Sequence, residues 1–254
     1  MSATRIRVRH CGNTPAAIQS VKYNGISTYC FRCGETVWEP KEPELRRPSE
    51  EPPRGMPCPL DNGDPWPAHA TAWLAELGFG RYEREQVFGC YWSVRYERIV
   101  FPLNSGFWTS RAVDPPGSTR PKWLSSLVNR QRCVQEYVST SWAAIAHKGP
   151  PPVVLTEDIL SAAKIALAGA SVVAIPCLGT TPSPAVLARA ACAPKVMWWL
   201  DPDAAGQRQA YIGSRKLLAL GVASYIMPTR LDDRDPKYLA PNEINERLAC
   251  LTST

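Results

Sequence analysis

The chain has 254 residues, 44% apolar and 20% charged, with 29 basic against 23 acidic side chains and a net charge of +6. That composition suits a soluble globular protein of one large domain or two to three small ones. It excludes a membrane-spanning chain, because the longest apolar stretch, Ile165 to Ala174, is too short and carries Gly169 and Ser171. The N-terminus is polar and basic without an apolar segment, so no signal peptide is expected and the protein is placed in the cytoplasm. Its nine cysteines are then expected to be free or metal-bound rather than disulfide-paired.

Charge is unevenly spread. Residues 1–36 carry five basic side chains and one acidic, residues 79–150 ten and five, and residues 151–254 ten and nine. The positive excess lies in the first two-thirds, while the acidic groups gather near the C-terminus. A basic surface beside an acidic pocket suits an enzyme that grips nucleic acid and binds cations.

Residues 1–40 form a cysteine-bearing head. Cys30 and Cys33 make a CxxC followed by Gly34, and His10 and Cys11 lie upstream, before Gly12. Two ligand-bearing turns bridged by a hairpin read as a zinc ribbon, since tetrahedral zinc takes four nitrogen or sulfur ligands. His10 and Cys11 are adjacent rather than two apart, so Cys58 or His69 remains open as a substitute ligand. A redox CxxC would sit at a helix start after a strand, and the flanking YNGISTY hairpin speaks against it.

Residues 41–68 are rich in proline and charge and read as an extended linker. HATAWLAELG (69–78) predicts a helix ending at Gly78. The aromatic and β-branched run that follows predicts a hairpin turning at NSG, and DPPGSTRPKW is loop chemistry. Residues 69–150 thus form a basic mixed α+β subdomain. From 151 to 254 strands alternate with helices. PVVLT, SVVAIP, KVMWWL and ASYIM read as buried strands, with helices beginning near Glu157, at SPAVLARAACA and at AAGQRQAYIGSRKLLALG. This alternation implies a parallel sheet.

The strand ends carry the chemistry. Glu157 follows the first strand, Gly179 and Thr180 the second, Asp201 and Asp203 the third, and Asp235 lies in a late loop. Parallel strands bring their carboxyl ends to one edge, where such sheets bind ligands. Carboxylates gathered there repel one another unless a divalent cation, magnesium or manganese, neutralises them. The residues alone leave a second reading open, in which Asp203 caps the next helix and Glu157 and Asp158 favour the positive end of another.

The ordered set of Glu157, Gly179–Thr180, Asp201-Pro202-Asp203 with Ala205-Gly206, and Asp235 resembles the Toprim domain of bacterial-type DNA primases. ERIVFP, SRAV and PKWL resemble the basic subdomain that precedes Toprim, and the zinc ribbon completes the primase order. Among look-alikes the chain is most similar to primases of short-tailed bacteriophages, which would place it in the host cytoplasm. The resemblance implies a zinc ribbon reading template, a Rossmann-like Toprim core, and synthesis of RNA primers from ribonucleoside triphosphates on single-stranded DNA. It implies catalytic roles for Glu157, Asp201, Asp203 and Asp235. Asp201 and Asp203, with Glu157, would hold magnesium or manganese, and His10, Cys11, Cys30 and Cys33 would hold structural zinc. Arg98, Arg111 and Lys122 would meet template or nucleotide phosphates, and Trp123, Trp108 or Tyr91 would stack on bases. The family's glutamate-glycine pair is Glu157-Asp158 here. With no GxxxxGK[ST] phosphate loop, the chain is expected to work with a separate replicative helicase. The alternatives are a Toprim-type nuclease and a non-catalytic DNA-binding adaptor that recruits the helicase.

Overall fold

The computed structural model describes residues 5–12, 17–22, 25–40, 58–59, 61, 63, 65–114, 118–126, 130–139, 150–228 and 234–252. Most of the predicted linker 41–68 lies outside the described residues. The chain divides into two compact units, Met1–Glu50 and Glu51–Thr254.

The first unit is a four-stranded antiparallel sheet in sequential order: β1 (Arg5–Val8), β2 (Ala17–Lys22), β3 (Gly25–Cys30) and β4 (Thr36–Pro40). The pairing of β2 with β3, from Ala17 opposite Cys30 to Lys22 opposite Gly25, is the expected central hairpin. His10 and Cys11 follow β1, and Cys30 ends β3 with Cys33 in the turn after it. Both pairs therefore emerge at the same end of the sheet, as antiparallel neighbours two strands apart in order require.

The second unit opens with α1 (Ala68–Glu76), which ends where Gly78 turns to a φ of +80°. A π-helical turn over Glu83–Phe88 leads into an antiparallel sheet of β5 (Tyr91–Ser93), β6 (Arg98–Pro102), β7 (Trp108–Ala112) and β8 (Trp123–Ser125). The NSG turn between β6 and β7 is a single 3-10 turn, Asn104–Gly106, as the hairpin reading requires. Trp123, read as loop, instead opens β8, because the register of β7 on β8 pairs it with Arg111.

The remainder is an alternating array: β9 (Tyr137–Val138), β10 (Val153–Thr156), α2 (Ile159–Leu167), β11 (Val173–Pro176), α3 (Pro184–Ala191), β12 (Lys195–Trp199), α4 (Ala204–Ala219), β13 (Ala223–Ile226) and α5 (Pro241–Thr252). The sheet order is β13-β12-β10-β11-β9. β10 to β13 are parallel, as expected. β9 runs antiparallel on the outer edge of β11, with Tyr137 opposite Ala174, and was not foreseen.

β10 lies at the centre and is buried at all four positions. Successive side chains alternate between two cores, as the period of a strand dictates. Val153 and Leu155 join Trp198 under α3 and α4, and Val154 joins Met197 under α2 and α5. The second core is continuous with Leu74 of α1 and Ile99 and Phe101 of β6, so residues 69–150 share a hydrophobic interior with the parallel sheet. Trp198 is 1% exposed, and its ring lies so close to Gly213 of α4 that a Cβ there would sit 2.0 Å from it. Burying a side chain of that size contributes ~2–3 kcal/mol and depends on the glycine to let α4 approach.

The helices α2, α3 and α4 each start on a side-chain cap. Asp158 accepts from Leu160 and Ser161 N–H, Ser183 from Val186 N–H, and Asp203 from Gly206 N–H. Such caps contribute about 1 kcal/mol apiece and fix where each strand stops and its helix starts. Among the described residues, no helix is long and apolar enough to cross a membrane.

Candidate active site and metal centres

In the first unit, one nitrogen or sulfur atom from each of His10, Cys11, Cys30 and Cys33 lies within 4.8 Å of the others. The Sγ atoms of Cys11 and Cys30 are 3.4 Å apart, and His10 Nδ1 is 3.7 Å from Cys33 Sγ. Adjacent residues share this site because the chain turns sharply after Cys11. Gly12 takes a φ of +95°, and a Cβ there would collide with the Arg32 guanidinium at 2.1 Å. Backbone N–H groups of Cys33 and Arg32 lower the Cys30 thiol to about 6, and the hydrogen bond shared with Cys30 raises that of Cys11 to about 11. His10 Nε2 faces Glu35 Oε2 at 3.7 Å, which would leave Nδ1 for a metal, as carboxylate–histidine pairs at metal sites do. The donor set of three sulfurs and one imidazole fits tetrahedral zinc. The two substitute ligands have other partners: Cys58 Sγ lies 3.2 Å from Tyr91 Oη, and His69 packs edge-on to Trp92.

In the second unit, the connection from β10 to β11 leaves in one direction and that from β11 to β12 returns across β10. Open sheets place ligands at such a reversal, outside the strand ends. A cleft of about 370 Å³ lies there. One wall is the sheet edge, with Glu157, Asp158, Gly179 and Asp201. The other includes Thr109 and Arg111 of β7, Lys122, and Trp123 and Ser125 of β8, and Asp235, Lys237 and Tyr238 border it.

One oxygen from each of Asp158, Asp201 and Asp235 lies within 4.8 Å of the others. Oxygen donors in this number fit a hard divalent cation such as magnesium or manganese. The electrostatics point the same way. Burial, then Asp235 and Glu157, push the Asp201 carboxyl up to about 7 against the pull of Lys237. Burial also raises Glu157, opposed by the hydroxyl of Thr180, which donates to Glu157 Oε1 at 3.2 Å. Thr180 is held by the loop after β11. In that loop Leu178 and Gly179 take φ of +58° and +128°, and Arg130 Nη2 donates to the Leu178 and Thr181 carbonyls at 3.1 and 3.4 Å.

Gly206 explains why alanine-glycine follows the two aspartates. A Cβ at this position would lie 2.2 Å from the Asp201 carbonyl oxygen, so only glycine lets α4 start this close to the strand end. Opposite, the Arg111 guanidinium sits over the rings of Trp73 and Trp123, with its carbon 5.1 and 5.4 Å from their centroids. Burial pulls its pKa below the usual arginine range, and its Nε is buried without a hydrogen-bond partner among the described residues.

Four expected site residues are not among those that line the cleft. Asp203 is exposed, and its Oδ1 accepts from Gly206 N–H at 2.7 Å, so it acts as the helix cap. The third carboxylate of the group is Asp158 instead, which also caps α2. Arg98 is fully buried. Its Nε donates to Ser110 Oγ at 3.1 Å and its Nη2 to the Pro121 and Lys122 carbonyls at 2.8 and 3.3 Å. A side chain with no accessible surface cannot meet a phosphate. Its bonds instead fix the segment that presents Lys122. Trp108 is likewise core, at 0% exposure, and Tyr91 faces Cys58. Arg111, Lys122 and Trp123 do line the cleft.

The sequence reading missed Lys237. Its Nζ lies 2.7 Å from Asp158 Oδ2 and 2.5 Å from Asp235 Oδ2. Burial alone would lower its pKa, but Asp158 and Asp235 together raise it on balance. The signal was present in the DPK triplet, since Asp235 and Lys237 are two apart on one 3-10 turn. Its meeting with Asp158, 79 residues away, was not.

No family model matches the chain, and no curated protein matches it. Solved structures do, at identities that carry the fold alone. The zinc-binding and RNA polymerase domains of Aquifex aeolicus primase align over 97% of this chain and 78% of theirs, with a TM-score of 0.57 and 13% identity. The RNA polymerase domain of Mycobacterium tuberculosis primase aligns over 72% of this chain and 75% of its own, with a TM-score of 0.57 and 15% identity. The same domain in complex with a double-stranded DNA oligomer bearing a 6-nucleotide overhang gives 72%, 73%, 0.54 and 17%. The fold is therefore that of bacterial DNA primase domains, mixed α/β with a His/Cys cluster that suits zinc.

Proposed function

We propose that the chain is a DNA primase that makes short RNA primers on single-stranded DNA, with a Toprim-type catalytic core over residues 151–254. Residues 69–150 would be its basic subdomain and residues 1–40 its template-reading zinc ribbon, joined by a linker over 41–68. The observation that carries the reading is the facing of two walls across one cleft. Carboxylates from two strand ends and a late loop stand opposite Arg111, Lys122 and Trp123. Cations opposite a metal-binding edge suit a nucleoside triphosphate, whose phosphates need both.

Asp201 and Asp235, with Glu157 and Asp158 beside them, would hold magnesium or manganese. When bound, the cation supplies charge that aligns phosphate oxygens and acidifies a primer hydroxyl. Arg111, stacked between two indoles, would present its guanidinium to the triphosphate from a fixed direction. Lys122 would add a second positive charge, positioned by Arg98 through the backbone. Trp123 borders the cleft where a base could stack. Glu157, held by Thr180 with its pKa raised, suits a proton acceptor for the attacking hydroxyl. His10, Cys11, Cys30 and Cys33 would hold zinc and stiffen the end of a head that carries exposed Tyr29 and Phe31. A phage origin fits the sequence resemblance.

The test is labelled-ribonucleotide incorporation on single-stranded DNA with added magnesium or manganese. RNA oligomers from the wild-type chain, lost in Asp201→Ala with the fold retained, are expected. Wild-type yield from Asp201→Ala refutes the reading. DNA fragments would indicate a nuclease, and DNA binding without product an adaptor.

A further inference from the structure

Lys237 is held within the carboxylate group rather than beside it. Its Nζ bridges Oδ2 of Asp158 and Oδ2 of Asp235, and its side chain is 11% exposed. Both partners are themselves constrained. Asp158 Oδ1 already accepts the Leu160 and Ser161 N–H groups at 2.9 Å, which leaves Oδ2 as its outward oxygen, and that is the one Lys237 occupies. Asp235 enters the 3-10 turn Pro236–Tyr238 through a buried proline, and this turn packs on α2. Asp235 and Lys237 are therefore fixed to the same short turn, facing the cap of the helix on which it rests. Ion pairs this enclosed persist only when geometry and hydrogen bonds compensate the lost water, as two carboxylates do here.

Asp201 stands differently. Among the described residues it has no salt-bridge partner; Asp235 and Glu157 act on it most strongly among the charged groups, and Lys237 acts on it without pairing with it. Of the carboxylates that line the cleft, Asp158 and Asp235 therefore share a cation that the protein supplies, while Asp201 and Glu157 pair with none among the described residues. A divalent ion bridging Asp158 and Asp235 would need the oxygens that Nζ holds, or would lie against a fixed ammonium at short range.

We propose that Lys237 serves as a built-in cation in the carboxylate group, so that the cleft takes a single divalent ion, centred on Asp201, rather than two. This rests on the metal-dependent reading above but concerns only stoichiometry and position. In this arrangement Asp158 has a double task, capping α2 and anchoring the ammonium, and the lysine keeps Asp235 oriented toward Asp201.

The test is a manganese titration of the zinc-loaded full chain without nucleotide, with free manganese followed by electron paramagnetic resonance. The wild-type chain is expected to take one ion tightly. Lys237→Met, which keeps length and removes charge, is expected to take two, a doubling. Lys237→Arg, which keeps the charge, is expected to take one, and Asp201→Asn is expected to lose the wild-type ion. A melting curve on each variant checks the fold, and the wild-type and Lys237→Arg counts decide the matter if Lys237→Met does not fold. Zero or two ions on the wild-type chain, two on Lys237→Arg, or one on folded Lys237→Met overturns the proposal. The outcome is separate from the primase reading: two ions on a chain that makes primers would sink only the lysine's role. One ion on a chain that makes none would sink only the activity.

Discussion

Replacing Asp201 with asparagine is expected to stabilise the metal-free protein while removing its function. Burial and its acidic neighbours push the Asp201 carboxyl up to about 7 in the fold, against 3.8 for a free aspartate. An acid whose folded pKa lies above its unfolded one destabilises the fold once ionised. The penalty is absent below pH 3.8, grows as pH rises toward 7, and is constant above. Taken at face value, the difference is ~4 kcal/mol at pH 8. The group is only partly buried, so solvent screening reduces this to ~1–2 kcal/mol. For a protein of this size, that is a rise in Tm of roughly 3–6 °C. Asparagine keeps the shape and removes the charge, so Asp201→Asn should melt higher than wild type at pH 8 with chelator present, and the gap should close toward pH 4. Magnesium or manganese should raise the wild-type Tm by mass action and leave the variant's unchanged. Differential scanning calorimetry at the two pH values reads both effects. A variant less stable than wild type at pH 8, or a gap of equal size at both pH values, refutes the electrostatic account of the cluster.

Gly206→Ala is expected to cost ~1–3 kcal/mol, because its new methyl would meet the Asp201 carbonyl at 2.2 Å and push α4 from the strand end. Chemical denaturation should show the loss, and divalent-ion affinity should fall with it. Retained affinity would mean that Asp201 is positioned by something else. Thr180→Val removes a hydrogen bond that holds Glu157 ionised, so the Glu157 pKa should rise further. The acid limb of the pH–rate profile for primer synthesis should move to higher pH. An unmoved limb would remove Glu157 as proton acceptor. Cys33→Ser is expected to strip bound zinc, measured by metal analysis, and to abolish folding of residues 1–50 while the melting transition of residues 51–254 persists. Full zinc retention would exclude Cys33 as a ligand.

Local signals were strong where one residue's neighbours in sequence are also its neighbours in space. The apolar runs VVLT, VAIP and VMWW are strands because they are buried on both faces, and the helices between them are marked by Asp158, Ser183 and Asp203 at their first turns. The CxxC at Cys30 and Cys33 sits on one turn and was legible for the same reason. Glu157, Asp201 and Gly179–Thr180 could be placed at one edge, because parallel strands put their ends there whatever their order.

What needed the tertiary structure was every choice between equivalent residues. Asp201 and Asp203 are two apart and look alike in sequence. Only the start of α4 decides that Asp203 turns back to Gly206 N–H while Asp201 faces the cleft. Arg98 and Arg111 both lie in basic strands, yet the pairing of β6 with β7 and the fold of residues 121–122 over Arg98 bury one and leave the other between two tryptophans. β9 adds an antiparallel edge through two residues too few to give a period. Lys237 meets Asp158 across 79 positions because the last turn packs on the helix that Asp158 caps. Sequence reports how each segment meets water, so it determined the strands, the helices and the edge that carries the acids. Contact between distant segments depends on packing, so only the fold decided which carboxylates come together and which lysine meets them.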